Sequence, residues 1–209
     1  KWEGILPFLQ MFPNGRVIHI YRDPRAVLAS YKNMTYHPGI MYMDAIFSSL
    51  SMFNYIEQEC IKQNKNIYLL KYEDLVCDPV NVLKSICDFI EVNFTERMLR
   101  VDSFKNQFGE SFDGNSSFKG LRKSFDKKTM NIWKEKLNNV EIYIAELVLK
   151  DKLRKFQYEL TGIDINQKES DEVYKIFHSE FINKRYKYWL KTGNGLQAYP
   201  DTEGAYSEQ

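Results

Sequence analysis

The stretch "RVIHIYRDPRAVLASYKN", residues 16–33, restricts the fold more than any other part of this chain. Val17, Ile18, Ile20 and Tyr21 make a β-branched and aromatic run around His19, which predicts a strand over 16–21. Apolar residues in direct succession predict burial on both faces, as in a parallel sheet. A helix opens straight after it. Asp23 can accept hydrogen bonds from exposed backbone N–H groups, and Pro24 suits the first helical position, so a helix is predicted to about Asn33. The same order recurs in "NIYLLKYEDLVCDPVNVLKSICDFI". There a strand over 67–72 is followed by a loop, the pair Asp78-Pro79 and a helix to about Ile90. A long helix over 41–62 is predicted between the two units, with Ala45, Leu50, Phe53 and Ile56 available to pack. Strands alternating with helices imply crossover connections on a parallel sheet. The fold class is α/β.

After Glu91 the strand signals stop. "RMLRVDSF" reads as helical and "DGNSSFKGLRKS" as a loop. A helix over 141–152 carries Ile144, Leu147 and Val148 on one face. Another over 171–191 carries Val173, Phe177, Phe181 and Tyr188 and stops before Gly193. Residues 193–209 contain Asp201, Glu203 and Glu208 with no basic residue, and read as a loose tail. At the other end, "KWEGILPFLQMF" reads as a helix closed by the turn "PNG". A chain that begins inside a helix is expected to be part of a longer protein.

Composition excludes several classes. A length of 209 residues with 44% hydrophobic and 15% aromatic content suits one domain with at most a small appendage. A net charge of +1 argues against a nucleic-acid partner held by bulk electrostatics. No apolar run approaches the roughly 18 residues of a membrane span, and no signal peptide opens the chain. That pattern leans to the cytoplasm, or to the Golgi lumen for a eukaryotic source. Cys60, Cys77 and Cys87 fit no metal-ligand spacing and read as buried reduced thiols.

In open α/β sheets, ligands sit beyond the carboxyl ends of the strands, where Arg22 lies. Helical spacing puts Ala26 and Ser30 on one line, with Arg22 just before its start. A guanidinium, a small methyl and a hydroxyl then form a lane at a helix N-terminus, suited to an anion and most naturally to a phosphate. The alternative pairs Arg22 with Glu73 or Asp74 at the neighbouring strand end and leaves Ser30 as a small packing residue.

"IHIYRDPRAVLASY" resembles the 3′-phosphate-binding segment of the sulfotransferases that use 3′-phosphoadenosine-5′-phosphosulfate. Arg22 and Ser30 match that segment's strand-terminal arginine and the serine eight residues later. "LLKYEDLVCDPVNVLKSICDFI" is similar to the family's strand–Tyr-Glu-Asp-Leu–loop–helix segment, whose tyrosine reaches the adenine; that role falls on Tyr72. "NSSF" resembles the Ser/Thr-x-Phe stretch beside the adenine and implicates Ser116 and Phe118. "IWKEKL", with Trp133 and Leu137, followed by "LRKFQYEL", is similar to the family's closing tryptophan helix and its Gly-Tyr ending. Gln157 stands where the glycine is expected. The matches run in order over residues 16–160. Between residues 115 and 136 lie seven basic and two acidic residues. Lys119 and Arg122 in that stretch are candidates to clamp a multiply charged nucleotide, against the alternative of a solvated basic face.

The resemblance implies a P-loop-NTPase-like parallel sheet flanked by helices. It also implies transfer of a sulfuryl group from 3′-phosphoadenosine-5′-phosphosulfate, as co-substrate, to a hydroxyl or amine. The acceptor would be a saccharide, a protein or a small molecule, and no metal or nucleic acid is expected. The family's lysine-bearing, Gly- and Ser/Thr-rich loop and its general base precede the 3′-phosphate strand. No such loop occurs in the 209 residues, so the N-terminal strand that carries it is expected to be missing and the chain alone to lack transfer activity. His19 reads as structural and His178 as surface or packing. His37 would face the acceptor side, and none of the three is assigned as the base. The expected division is a sulfotransferase-like domain over 1–160, a helical extension over 161–192 and a tail over 193–209. Two other classes stay open. One is a small-molecule kinase on a related sheet, with Glu73-Asp74 on Mg²⁺; the other is a non-catalytic nucleotide-binding module.

Overall fold

The computed structural model describes residues 2–33, 39–100, 105, 109, 114–115, 118–119 and 125–196. In chain order its elements are α1 (Ile5–Met11), β1 (Val17–Tyr21), α2 (Pro24–Lys32), α3 (Asp44–Ile56), α4 (Glu59–Lys62), β2 (Ile67–Lys71), α5 (Tyr72–Cys77) and α6 (Pro79–Ile90). There follow β3 (Gly114–Asn115), β4 (Phe118–Lys119), α7 (Lys128–Asn131), α8 (Trp133–Lys136), α9 (Asn139–Lys155), α10 (Gln167–Phe177) and α11 (Glu180–Thr192). They form two units, each made of separate chain segments: Lys1–Arg22 with Gln58–Ile132, and Asp23–Glu57 with Trp133–Gln209.

The first unit holds the predicted parallel pair. β1 and β2 run side by side with Val17 opposite Ile67 and Tyr21 opposite Lys71. The predicted Asp-Pro helix start at residue 78 is present, the Asp78 carboxylate accepting from the backbone N–H of Asn81. Tyr68 meets Phe89 of α6, with ring centroids 5.4 Å apart. Burial on both faces of β1 is not observed: Ile20 is 55% exposed and Ile18 is exposed as well. Among the described residues β1 has β2 as its only ladder partner. Where a loop was expected after β2, the chain turns at once into α5, with Glu73 and Asp74 in its first turn, where carboxylates suit the helix dipole.

The second unit is helical. Ala26, Leu28 and Ala29 of α2 and Phe47, Leu50 and Phe53 of α3 are buried with Ile144, Leu149 and Leu153 of α9. Asp23 caps α2 as predicted, accepting from the backbone N–H of Arg25 at 2.9 Å. The helix predicted over 41–62 is divided. α3 ends at Ile56, Gln58 is extended, and α4 begins a new turn in the other unit. The break lies where the chain leaves one core for another. It leaves Ile56 and Ile61 both buried. The helix predicted over 171–191 is likewise two. Ser179 is extended between α10 and α11, so Phe177 and Ile182 are both buried; five residues apart on one straight helix, they would point about 140° apart. On α9 the buried arc is centred on Ala145 and Leu149, which leaves Leu147 42% exposed instead of on the packed face. Cys60 and Cys77 are exposed and only Cys87 is buried; all three are free thiols, so the buried reading holds for one of them.

Gln157 explains its own oddity. It sits at φ +61°, the left-handed region that glycine prefers. The N–H of Tyr158 donates to the Leu153 carbonyl at 2.8 Å and that of Gln157 to Arg154 at 3.1 Å. This is the Schellman closure of α9. Tyr158 is buried, which holds the closure in place whatever residue precedes it. Replacing Gln157 with glycine is therefore expected to stabilise the protein by about 0.5–1 kcal/mol, as relief of left-handed strain outweighs the added chain entropy. Denaturant unfolding checks this; an unchanged or lower midpoint contradicts it.

His19, inside β1, is half-buried, and its Nε2 is buried without a hydrogen-bond partner. Burial lowers its pKa from 6.5. The unfolded chain then takes up a proton near pH 6.5 that the folded chain refuses. This contribution to stability is full above that pH and is lost as pH falls toward the lower folded value. A His19→Phe variant should accordingly lose less stability than the parent between pH 7 and 5.5. Parallel stability–pH curves would exclude the effect.

Candidate functional site

The register of the parallel pair positions the site. Tyr21 and Lys71 are partners, so the residues that follow them, Arg22 and Tyr72, leave adjacent strands together at their carboxyl ends. Neighbouring strands lie about 4.8 Å apart. The Arg22 guanidinium accordingly rests over the Tyr72 ring, with Cζ 5.3 Å from the centroid, in cation–π range. Both side chains are half-buried. Two residues singled out separately in the sequence are thus in contact. Tyr72 is held at its far end too: its hydroxyl lies 2.9 Å from the hydroxyl of Thr129, which donates to the Asp126 carbonyl at 2.7 Å. Thr129 had no sequence signal. Nearby, burial first, then the charges of Asp74 and Glu73, raise the pKa of the Tyr21 phenol.

Ser30 belongs to the second unit, half-buried in the last turns of α2. Ala26, read as leaving room for an anion, is wholly buried and serves helix packing. Ser116 and Arg122 lie outside the described residues, as does His37. Phe118 and Lys119 are described in backbone only, as β4 pairing antiparallel with β3. His178 caps the end of α10, hydrogen-bonded to the Tyr174 carbonyl and stacked on that ring at 4.0 Å, a packing role as expected.

The second arginine of the Arg-Asp-Pro-Arg turn has a different part. Arg25 is 2% exposed. Its Nε donates to both Asp23 carboxylate oxygens (3.0 and 3.2 Å) and Nη2 donates to one of them at 2.8 Å. Nη1 donates to Glu146 at 2.6 Å and to the Glu159 carbonyl at 2.8 Å. The guanidinium also stacks on the Trp133 ring, 4.1 Å from its centroid. Burial works to lower the Arg25 pKa, but the hydrogen bonds and charges of Asp23 and Glu146 outweigh it and raise it. Trp133, noted in the sequence as part of a closing helix, is the buried platform for this cation. Arg25 joins the turn to α9 and is unavailable to a ligand.

A cleft of about 710 Å³ opens at the amino ends of β1 and β2, lined by Arg16, Lys65, Asn66, Asp88 and Glu91 among others. Arg16 there donates to the Phe89 carbonyl and to Glu91. Ligands of parallel sheets sit at the opposite end, where Arg22 and Tyr72 are. Among the described residues no group of His, Cys, Asp and Glu is arranged to hold a metal ion, and no helix is long and apolar enough to cross a membrane.

A family model described as the sulfotransferase family matches residues 2–96. No curated protein matches the chain. Among solved structures, the sulfotransferase domain from the curacin biosynthetic pathway is similar, with TM-score 0.53 and 18% identity over 77% of this chain. The chain spans 59% of that domain's length. The sulfotransferase domain of the Synechococcus PCC 7002 olefin synthase is 24% identical over 69% of this chain and 50% of its own, with TM-score 0.43. The first of these likenesses shows a shared fold: helices around a small parallel sheet.

Proposed function

We propose, from the match of residues 2–96 to the sulfotransferase family model, that the chain holds the 3′-phosphoadenosine part of 3′-phosphoadenosine-5′-phosphosulfate for sulfuryl transfer to a hydroxyl or amine. The observation that carries the reading is the Arg22 guanidinium, set over Tyr72 at the carboxyl end of a parallel strand pair. A guanidinium offers a planar fork of N–H donors that matches a phosphate, and partial burial strengthens such a pair. In this reading Arg22 binds the 3′-phosphate and Ser30 donates a further hydrogen bond to it. Ser116 and Phe118 flank the nucleoside, and Lys119 and Arg122 add positive charge over the phosphates.

Transfer itself is an in-line displacement. The acceptor oxygen or nitrogen forms a bond to sulfur as the sulfur–oxygen bond to the 5′-phosphate breaks, and the acceptor's proton passes to a base. The nucleotide leaves as 3′-phosphoadenosine 5′-phosphate. The part of this chain is to bind and align the donor, which supplies rate through orientation. Calorimetry on the intact protein tests the reading. 3′-Phosphoadenosine 5′-phosphate should bind at least about tenfold more tightly than adenosine 5′-phosphate, the size expected of one charge-assisted pair. Equal affinities would overturn it.

A further inference from the structure

The protons of the Tyr72–Thr129 contact can be assigned. A threonine hydroxyl carries one hydrogen. Thr129 gives that hydrogen to the Asp126 carbonyl at 2.7 Å. The hydrogen bond between the two hydroxyls, 2.9 Å long, must therefore be donated by Tyr72. Thr129 is only 8% exposed, so the bond is sheltered from water. The tyrosine's one O–H is committed inside the protein, and one face of its ring lies under the Arg22 guanidinium. One end of the side chain is set by the strand register that ends at Lys71, the other by Thr129 of α7. A ring fixed at both ends is a rigid rest for the guanidinium above it.

We infer that Tyr72 serves the 3′-phosphate rather than the adenine: it is a positioning residue that orients Arg22, with Thr129 as its latch. This rests on the reading of Arg22 as the 3′-phosphate ligand. The physical content is that a guanidinium free to swing loses the two-point geometry a phosphate rewards. The hydroxyl of Thr129 therefore acts on phosphate affinity through two intervening side chains.

The test uses three ligands on the intact protein: 3′-phosphoadenosine 5′-phosphate, adenosine 5′-phosphate, and 3′-phosphoinosine 5′-phosphate. The first pair reads discrimination for the 3′-phosphate, and the first and third read discrimination for adenine. Tyr72→Phe and Thr129→Val should each reduce the 3′-phosphate preference roughly three- to tenfold, the size of one lost hydrogen bond. Combining them should cost no more than either alone, because both remove the same bond. The adenine preference should stay at its parent value, and Thr129→Ser, which keeps the hydroxyl, should restore the 3′-phosphate preference. A fall in adenine preference instead, an equal loss for all three ligands, or an unchanged phosphate preference in Thr129→Val would each overturn the inference. A parent protein with no 3′-phosphate preference would overturn the functional reading together with it, whereas a preference that Thr129→Val leaves intact removes the latch alone.

Discussion

Replacing Arg25 with methionine is expected to destabilise the protein by about 3–5 kcal/mol, the cost of breaking a buried ion pair by removing one partner. Methionine keeps much of the length but removes the charge. It would leave the carboxylates of Asp23 and Glu146 facing each other across the vacated position, both largely buried. Glu146 keeps some compensation, since it accepts from the backbone N–H and hydroxyl of Thr161. Asp23 keeps its capping bond from the backbone N–H of Arg25 itself. Against a total stability of about 5–15 kcal/mol the loss is large. Thermal unfolding should fall by roughly 6–20 °C in a protein of this size. Arg25→Lys should fall between the two, because an ammonium keeps the charge and loses the fork and the stacking on Trp133. Adding Asp23→Asn and Glu146→Gln to the methionine variant should recover part of the loss, since the stranded charges go with them. A methionine variant within about 1 kcal/mol of the parent would refute the structural role assigned to this cluster.

The second large effect concerns the other arginine. Arg22→Ala is expected to weaken 3′-phosphoadenosine 5′-phosphate by about 2–3 kcal/mol, roughly 30- to 150-fold, while adenosine 5′-phosphate binds nearly as before. The asymmetry follows from the group removed: a guanidinium aimed at one phosphate contributes little to a ligand that lacks it. Ser30→Ala should act in the same direction at about 1 kcal/mol, as expected for a neutral donor. Both variants should fold normally, because Arg22 is half-buried and outside the Arg25 cluster. Calorimetric titration with the two nucleotides decides the matter. An equal loss for both would mean that Arg22 supports the fold or the adenosine moiety and not the 3′-phosphate.

The contrast between the two arginines shows how far a sequence can be read. They stand three residues apart in one short turn, and charge and spacing give no basis for ranking them. Arg22 was legible because it ends a strand, and the end of a strand is a local fact. Arg25 was not. Its partners Glu146 and Glu159 are 121 and 134 residues away, and no periodicity connects such distances. Trp133 was noticed as a motif, but its use as a platform for a buried cation needed the packed second unit. Thr129 was missed for the same reason, lying 57 residues from the tyrosine it holds. Gln157 sits between these cases. The sequence marked it as the wrong residue for its place, and the backbone still adopts the conformation of the glycine it replaces.

What the sequence by itself determined is the set of features built from neighbours: two Asp-Pro helix starts, two β-branched strands, their parallel pairing, and Arg22 and Tyr72 at the strand ends. Capping, proline geometry and strand propensity act over a few residues, so they are written where they act. Tertiary structure alone decided which helices break, which face of β1 is exposed, and which arginine is buried. Those outcomes depend on desolvation and charge compensation by groups far along the chain. Arg25 is buried because Asp23, Glu146 and Trp133 together replace the water it gives up, and that environment exists only once the second unit has packed.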